Sequence, residues 1–138
     1  MLTRSETETA ALGADLGRGL TGGEAVLLTG ELGAGKTAFV RGLAQGLGVD
    51  PDEIASPTFV ILTSHGGRLT LHHADLYRLR GNGDERDLGL EELPGAGGVL
   101  AVEWAERLSF TPWERCLRVH LEHVQDEARR VVIQEESS

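Results

Sequence analysis

In 138 residues the chain has one cysteine, Cys116, and one lysine, Lys36. A single cysteine excludes an intrachain disulfide framework and a thiolate metal cluster. Aromatic residues make up 4% of the chain, and proline fills only four positions. No apolar run approaches the roughly 20 residues that a membrane-spanning helix needs. The opening Met1-Leu2-Thr3-Arg4 leads into polar sequence rather than the apolar stretch of a secretion signal. Basic residues are also scarce: 13 Lys plus Arg stand against 22 Asp plus Glu, a formal net charge of -9. Phosphate backbones and anionic headgroups are gripped by clustered Lys and Arg. The balance therefore argues against direct binding to DNA, to RNA or to a membrane surface. A reducing cytoplasm is the expected setting.

What is present suits a single soluble α/β domain spanning 1–138, with 40% apolar and 25% charged residues. Ser5-Glu6-Thr7-Glu8 reads as a capping box. Leu12, Leu16 and Leu20 then predict a helix of about 15 residues ended by Gly22-Gly23. Ala25 to Thr29 is a short continuous apolar run, the pattern of a strand buried on both faces. A glycine-rich turn follows, then a helix from Lys36 with Phe39, Val40, Leu43, Ala44 and Leu47 on one face. Phe59 to Ser64 and Arg68 to Asp75 predict a hairpin. A short polar helix is expected over Asp84 to Leu93, a second buried strand over Val99 to Val102, and a last hairpin from Cys116 to Glu122 and Arg129 to Gln134.

Gly30-Glu31-Leu32-Gly33-Ala34-Gly35-Lys36-Thr37 matches G-x-x-x-x-G-K-[ST] in full. Composition alone gives such a match a chance of about 0.002 across the chain. The strand before it and the helix after it lower that chance further. The glycines let successive N–H groups turn inward on a phosphate, and the helix aims its positive end at the same anion. Lys36 can bridge β- and γ-phosphates, and Thr37 can offer its hydroxyl to Mg²⁺. Twelve arginines and one lysine make that position distinctive, because an ammonium and a guanidinium are not interchangeable there.

A P-loop needs a further carboxylate, usually at a neighbouring strand end. Glu103 follows the apolar Val99-Leu100-Ala101-Val102 and is the candidate. Two readings of Asp75 stand at this point, a turn cap or a carboxylate that positions water or metal. Thr58 in Ser56-Pro57-Thr58-Phe59 reads most simply as a β-branched residue opening a strand. A switch-type hydroxyl is the other reading. His72 and His73 alternate across an extended strand, as His120 and His123 diverge, so neither pair is expected to share a metal. Cys116, Trp104 and Trp113 read as packing residues.

Together Gly30 to Thr37, Ser56-Pro57-Thr58-Phe59, His73-Ala74-Asp75-Leu76-Tyr77-Arg78-Leu79 and Glu103-Trp104-Ala105-Glu106-Arg107-Leu108 resemble the TsaE family. These are small bacterial P-loop ATPases of tRNA threonylcarbamoyladenosine biosynthesis. The resemblance runs from Ser5 to about Arg130. It implies a P-loop α/β fold, with a reduced parallel central sheet, antiparallel hairpins and flanking helices. It implies ATP and Mg²⁺, with Thr37 and Glu103 on the metal and Gly33, Ala34, Gly35, Lys36, Thr37 and Ala38 on the phosphates. Lys36, Asp75 and a switch-like Thr58 would be catalytic, and Glu6 and Thr9 would lie near the adenine. It further implies a weak, partner-stimulated ATPase that meets tRNA only indirectly and serves a complex with TsaD- and TsaB-type proteins, the complex that modifies adenosine 37 of tRNAs reading ANN codons. Two departures stand out. Thr111-Pro112-Trp113 replaces a more ordinary Leu-Pro segment and makes Trp113 an exposed-loop candidate. The late adenine-side arginine falls on Arg129 or Arg130. The competing readings are a small-molecule kinase, with Arg78, Arg80 and Arg86 as a lid, and a nucleotide-sensing switch without useful turnover.

Overall fold

The computed structural model describes residues 1–31, 34–54, 62–76, 89–95, 97–108 and 111–137. In chain order its elements are β1 (Leu2–Thr3), α1 (Glu6–Arg18), β2 (Glu24–Thr29), α2 (Lys36–Gly46), β3 (Leu62–His65), β4 (Thr70–Asp75), β5 (Gly98–Glu103), β6 (Arg115–Gln125) and β7 (Ala128–Ser137). Single 3₁₀ turns stand at Pro51–Glu53, Leu90–Glu92 and Ala105–Arg107. The strands form one sheet in the order β1-β7-β6-β2-β5-β4-β3. β6, β2, β5 and β4 run parallel. β1 with β7, β6 with β7, and β3 with β4 are antiparallel. The expected α/β class, a reduced parallel core with antiparallel additions, is the one observed. The two expected hairpins form, the last one running longer at both ends. Thr58, Gly33, Arg78, Arg80, Arg86 and the first half of the expected polar helix, 84–88, lie outside the described residues; its second half holds only the 3₁₀ turn Leu90–Glu92. Among the described residues no helix is long and apolar enough to cross a membrane.

β2 and β5 are apolar on both faces because both faces are covered. Val26, Leu28, Leu71, Val99 and Ala101 pack under Phe39, Val40, Leu43 and Ala44 of α2 and under Leu47, which caps it. Ala25, Leu27, Ala74, Leu100 and Val102 face the other way, against Leu90, Ala105, Trp113 and Cys116. Among the described residues no α-helix covers that second face. Trp113 supplies the missing bulk, and its Nε1 donates to Leu90 O at 3.2 Å and also to Leu93 O. It is buried, in line with the packing reading and against the exposed-loop one, because an indole can bury its ring when its N–H finds a carbonyl.

α1 also departs from expectation. It ends at Gly19 after 13 residues. Leu20 is buried, but Leu12 and Leu16 are only partly buried at its flanks. The face against α2 is Thr9, Gly13 and Gly17 instead. A Cβ on Gly13 would lie 2.2 Å from Phe39 O, and one on Gly17 2.6 Å from Leu43 O. From the other helix, a Cβ on Gly42 would lie 1.7 Å from Ala10 O, and one on Gly46 2.4 Å from Ala14 O. Two pairs of glycines four residues apart thus bring the two helix backbones into direct contact. Arg68 ties their ends together, donating to Gly17 O of α1 at 2.9 Å and to Gly46 O of α2 at 3.4 Å.

Gly42→Ala sets two effects against each other. Alanine gains up to about 1 kcal/mol of helix propensity, but its methyl meets a backbone carbonyl that a side-chain rotation cannot move aside. Overpacking should win, with a net loss of about 1–3 kcal/mol in chemical denaturation. Gly66, with nothing within 4 Å of its Cβ position, is the control, and Gly66→Ala should stay within about 0.5 kcal/mol of the parent. Equal stability of the two variants would refute the close-contact account.

Candidate functional site

The carboxyl ends of β2, β5 and β4 meet at one edge of the sheet, the place where open α/β sheets hold ligands. β2 ends at Thr29, and the chain turns at Gly30 with φ 141°. A Cβ there would lie 2.4 Å from Leu121 O, so β6 closes the turn against any side chain. Gly35 caps α2 with φ 97° and ψ 14°, without a side-chain hydrogen bond, and the first turn of α2 carries no acidic residue. The positive end of that helix therefore meets no carboxylate from its own first turn. Ala34 is buried and Ala38 half-buried within this stretch.

Lys36 is 5% exposed. Its Nζ donates to Gly30 O and, at 3.1 Å, to Glu31 O. It also stands 3.7 Å from the centroid of the Trp104 ring. Burial pushes its ammonium below the usual lysine range, while Glu106, Glu103, Asp75 and Glu31 pull the other way without restoring it. Trp104 reaches the ammonium because it turns the chain after β5 with φ 62°, a left-handed conformation that costs a bulky residue about 1–3 kcal/mol. Glu106 Oε2 accepts from Gly30 N at 3.4 Å.

Beside the lysine, Thr37 Oγ donates to Glu103 Oε1 at 3.0 Å. Glu103 is 3% exposed, and its Oε2 lies 2.6 Å from Nε2 of the buried His73. Asp75 sits opposite Glu103 in the parallel β4–β5 register, and Leu76 N donates to Glu103 O at 3.1 Å. Thr9 approaches from the helix layer. A Cβ built on Gly35 would be 3.6 Å from Thr9 Cγ2 and 3.7 Å from Arg129 Nε. Of the two late arginines, then, Arg129 is the one at the loop, while exposed Arg130 reaches Glu122 at 3.4 Å. Glu6 is exposed at the first position of α1. Lys36, Thr37, Glu103, Asp75 and Thr9 therefore converge on the Gly30–Thr37 loop.

A family model for the threonylcarbamoyl adenosine biosynthesis protein TsaE matches residues 3–131. The TsaE of Treponema pallidum is 42% identical over 96% of this chain and 97% of its own length. That of Streptomyces coelicolor is 42% identical over 88% and 86%. The crystal structure of Bacillus subtilis YdiB superposes with a TM-score of 0.78 at 29% identity, covering 100% of this chain and 84% of that one. The chain belongs to the TsaE family. Membership carries a role in threonylcarbamoyladenosine modification of tRNA, together with nucleotide binding and ATPase activity.

Three residues of this TsaE-family site, His73, Trp104 and Glu106, went unread in the sequence as parts of it, and a fourth, Arg129, was read only as one of two candidates. His73 had a signal, since a period of two sets it on the face of Asp75. Arg129 was one of two arginines that spacing left open. Trp104 and Glu106 had none, because their placement depends on the turn made after β5.

The buried ammonium generates a test. Burial outweighs the nearby carboxylates and depresses the proton affinity of this ammonium, so near neutral pH its charge costs the ligand-free fold stability. Ligand-free Lys36→Met should melt at the same temperature as the parent or higher, while its ADP affinity falls roughly tenfold or more, the worth of one charge-assisted contact. A lower melting temperature with unchanged ADP affinity would contradict both halves of the argument.

Proposed function

We propose that this chain, acting as a single P-loop domain, binds ATP with Mg²⁺ in the Gly30–Thr37 loop. It hydrolyses ATP slowly alone and faster beside TsaD- and TsaB-type proteins, as the ATPase of the assembly that modifies adenosine 37 of tRNAs reading ANN codons. The observation that supports this most is the meeting of the strand-end carboxylates Glu103 and Asp75 with Lys36 and Thr37 across the parallel sheet.

The residues fit the nucleotide and its cation. Among the described residues there is no cluster of three or more His, Cys, Asp or Glu that could hold a metal by itself. One hydroxyl and one carboxylate, Thr37 and Glu103, are the oxygen donors that Mg²⁺ takes when nucleotide phosphates and water complete its shell. Bound in that way, Mg²⁺ neutralises charge developing on the phosphates. Gly33 to Ala38 would direct N–H groups at the phosphates, and Lys36 would release the carbonyls of Gly30 and Glu31 to meet them. Asp75, next to Glu103, would accept a hydrogen bond from the attacking water, and Thr58 would act as a switch hydroxyl. Glu6 and Thr9 would border the adenine. With a net charge of -9, the chain is suited to docking on proteins and not to gripping tRNA itself.

Reconstitution tests the whole reading. With partners, ATP, threonine, bicarbonate and tRNA, the modified nucleoside should form only when this chain is added. Formation at the same rate without it would refute the assignment. For the role of Asp75, Asp75→Asn should cut partner-stimulated hydrolysis by about 10²-fold or more and leave ADP affinity nearly unchanged. A turn cap predicts the reverse, a stability loss of about 1 kcal/mol with turnover per folded molecule intact.

A further inference from the structure

His73 is a buried polar group of the site to which the proposed reading gives no task. It lies on the helix-facing side of β4, between Leu71 and Asp75, and is 2% exposed. Its ring contact is to the same carboxylate that Thr37 holds: Nε2 is 2.6 Å from Glu103 Oε2, while Oε1 accepts from Thr37 Oγ at 3.0 Å. An ionised carboxylate only accepts hydrogen bonds, so the proton of the shorter contact belongs to Nε2. A glutamate has three side-chain torsions. A donor on each oxygen, coming from two different elements, fixes the head group in one orientation. An imidazole is also a poor ligand for Mg²⁺, which prefers oxygen, and this nitrogen is already engaged.

We infer that His73 is a positioning residue for Glu103: its Nε2–H holds Oε2, so that Oε1 is presented toward Thr37 and the nucleotide's cation. This rests on the proposed reading of Thr37 and Glu103 as the cation's protein ligands. Hydrogen bonds that orient metal-ligating carboxylates typically matter by about 10–100-fold in metal affinity.

ADP binding measured by calorimetry, with Mg²⁺ and with EDTA, tests it in the parent, His73→Gln and His73→Asn. The glutamine amide can place its N–H where Nε2 stands, whereas asparagine reaches only the Nδ1 position. The Mg²⁺-dependent gain in ADP affinity should survive in His73→Gln and fall by about 10–100-fold in His73→Asn, with EDTA affinities alike in all three. Thermal midpoints separate this from packing, which would lower both variants together and leave the Mg²⁺ gain in place. His73→Asn with the parental gain, or His73→Gln as impaired as His73→Asn, would overturn the inference. If neither variant folds, ¹⁵N-histidine spectra of the parent decide: an Nε2–H tautomer of His73 supports the inference, and an Nδ1–H tautomer overturns it. A parent with no Mg²⁺ gain at all would defeat the cation reading itself, a result distinct from failure of His73 alone.

Discussion

The parallel pairing of β2 with β5 sets Leu28 opposite Glu103, and the site depends on that register. It is what lets Thr37, the second residue of α2, reach a carboxylate 66 positions later in the chain. A slip of one residue would turn Glu103 to the opposite face of the sheet, among Leu27, Leu100, Val102 and Trp113. There it would be a buried charge without Thr37 or His73, a loss on the order of 3–5 kcal/mol. The apolar residues on both faces of β2 and β5 enforce the same register, because each face is already filled. Core packing and site chemistry therefore select one alignment.

The helix layer is held to similar tolerance. Glycines on α1 and α2 let the helices touch backbone to backbone, and the same contact carries Thr9 to Gly35 at the mouth of the loop. A wider separation, of the kind leucines would impose, would withdraw Thr9 from the site. Lys36 carries a different constraint. Its ammonium is buried against Trp104 and two carbonyls, and burial lowers its proton affinity. The chain tolerates a poorly solvated charge, and a left-handed tryptophan beside it, in the place where an anion would satisfy both the lysine and the helix end.

Much of this was legible in the sequence, for reasons specific to each element. The loop could be read because backbone curvature and phosphate approach translate directly into glycine, lysine and threonine at fixed positions. Glu103 could be read because a carboxylate directly after a fully apolar strand must emerge at the strand's end. The α1 face could not: counting apolar side chains gives weight to Leu12 and Leu16 and none to Gly13 and Gly17, although the glycines make the contact. Trp113 was read both as a packing residue and as an exposed-loop candidate, and sequence could not choose because the face it covers is built from strands far from it in sequence. The His73–Glu103 bond lay beyond local patterns for the same reason, since it joins neighbours on strands that only the sheet order brings together.

The central claim is that Thr37 and Glu103 present oxygen to a cation that arrives with the nucleotide. Electron paramagnetic resonance of Mn²⁺, which favours the same oxygen donors, reads this directly when Mn²⁺ is titrated into the protein with and without ADP. The account predicts tight Mn²⁺ binding only in the ternary complex, and loss of that bound signal in Glu103→Ala while ADP still binds. Equal Mn²⁺ binding without ADP, or an unchanged ternary signal in Glu103→Ala, would contradict it.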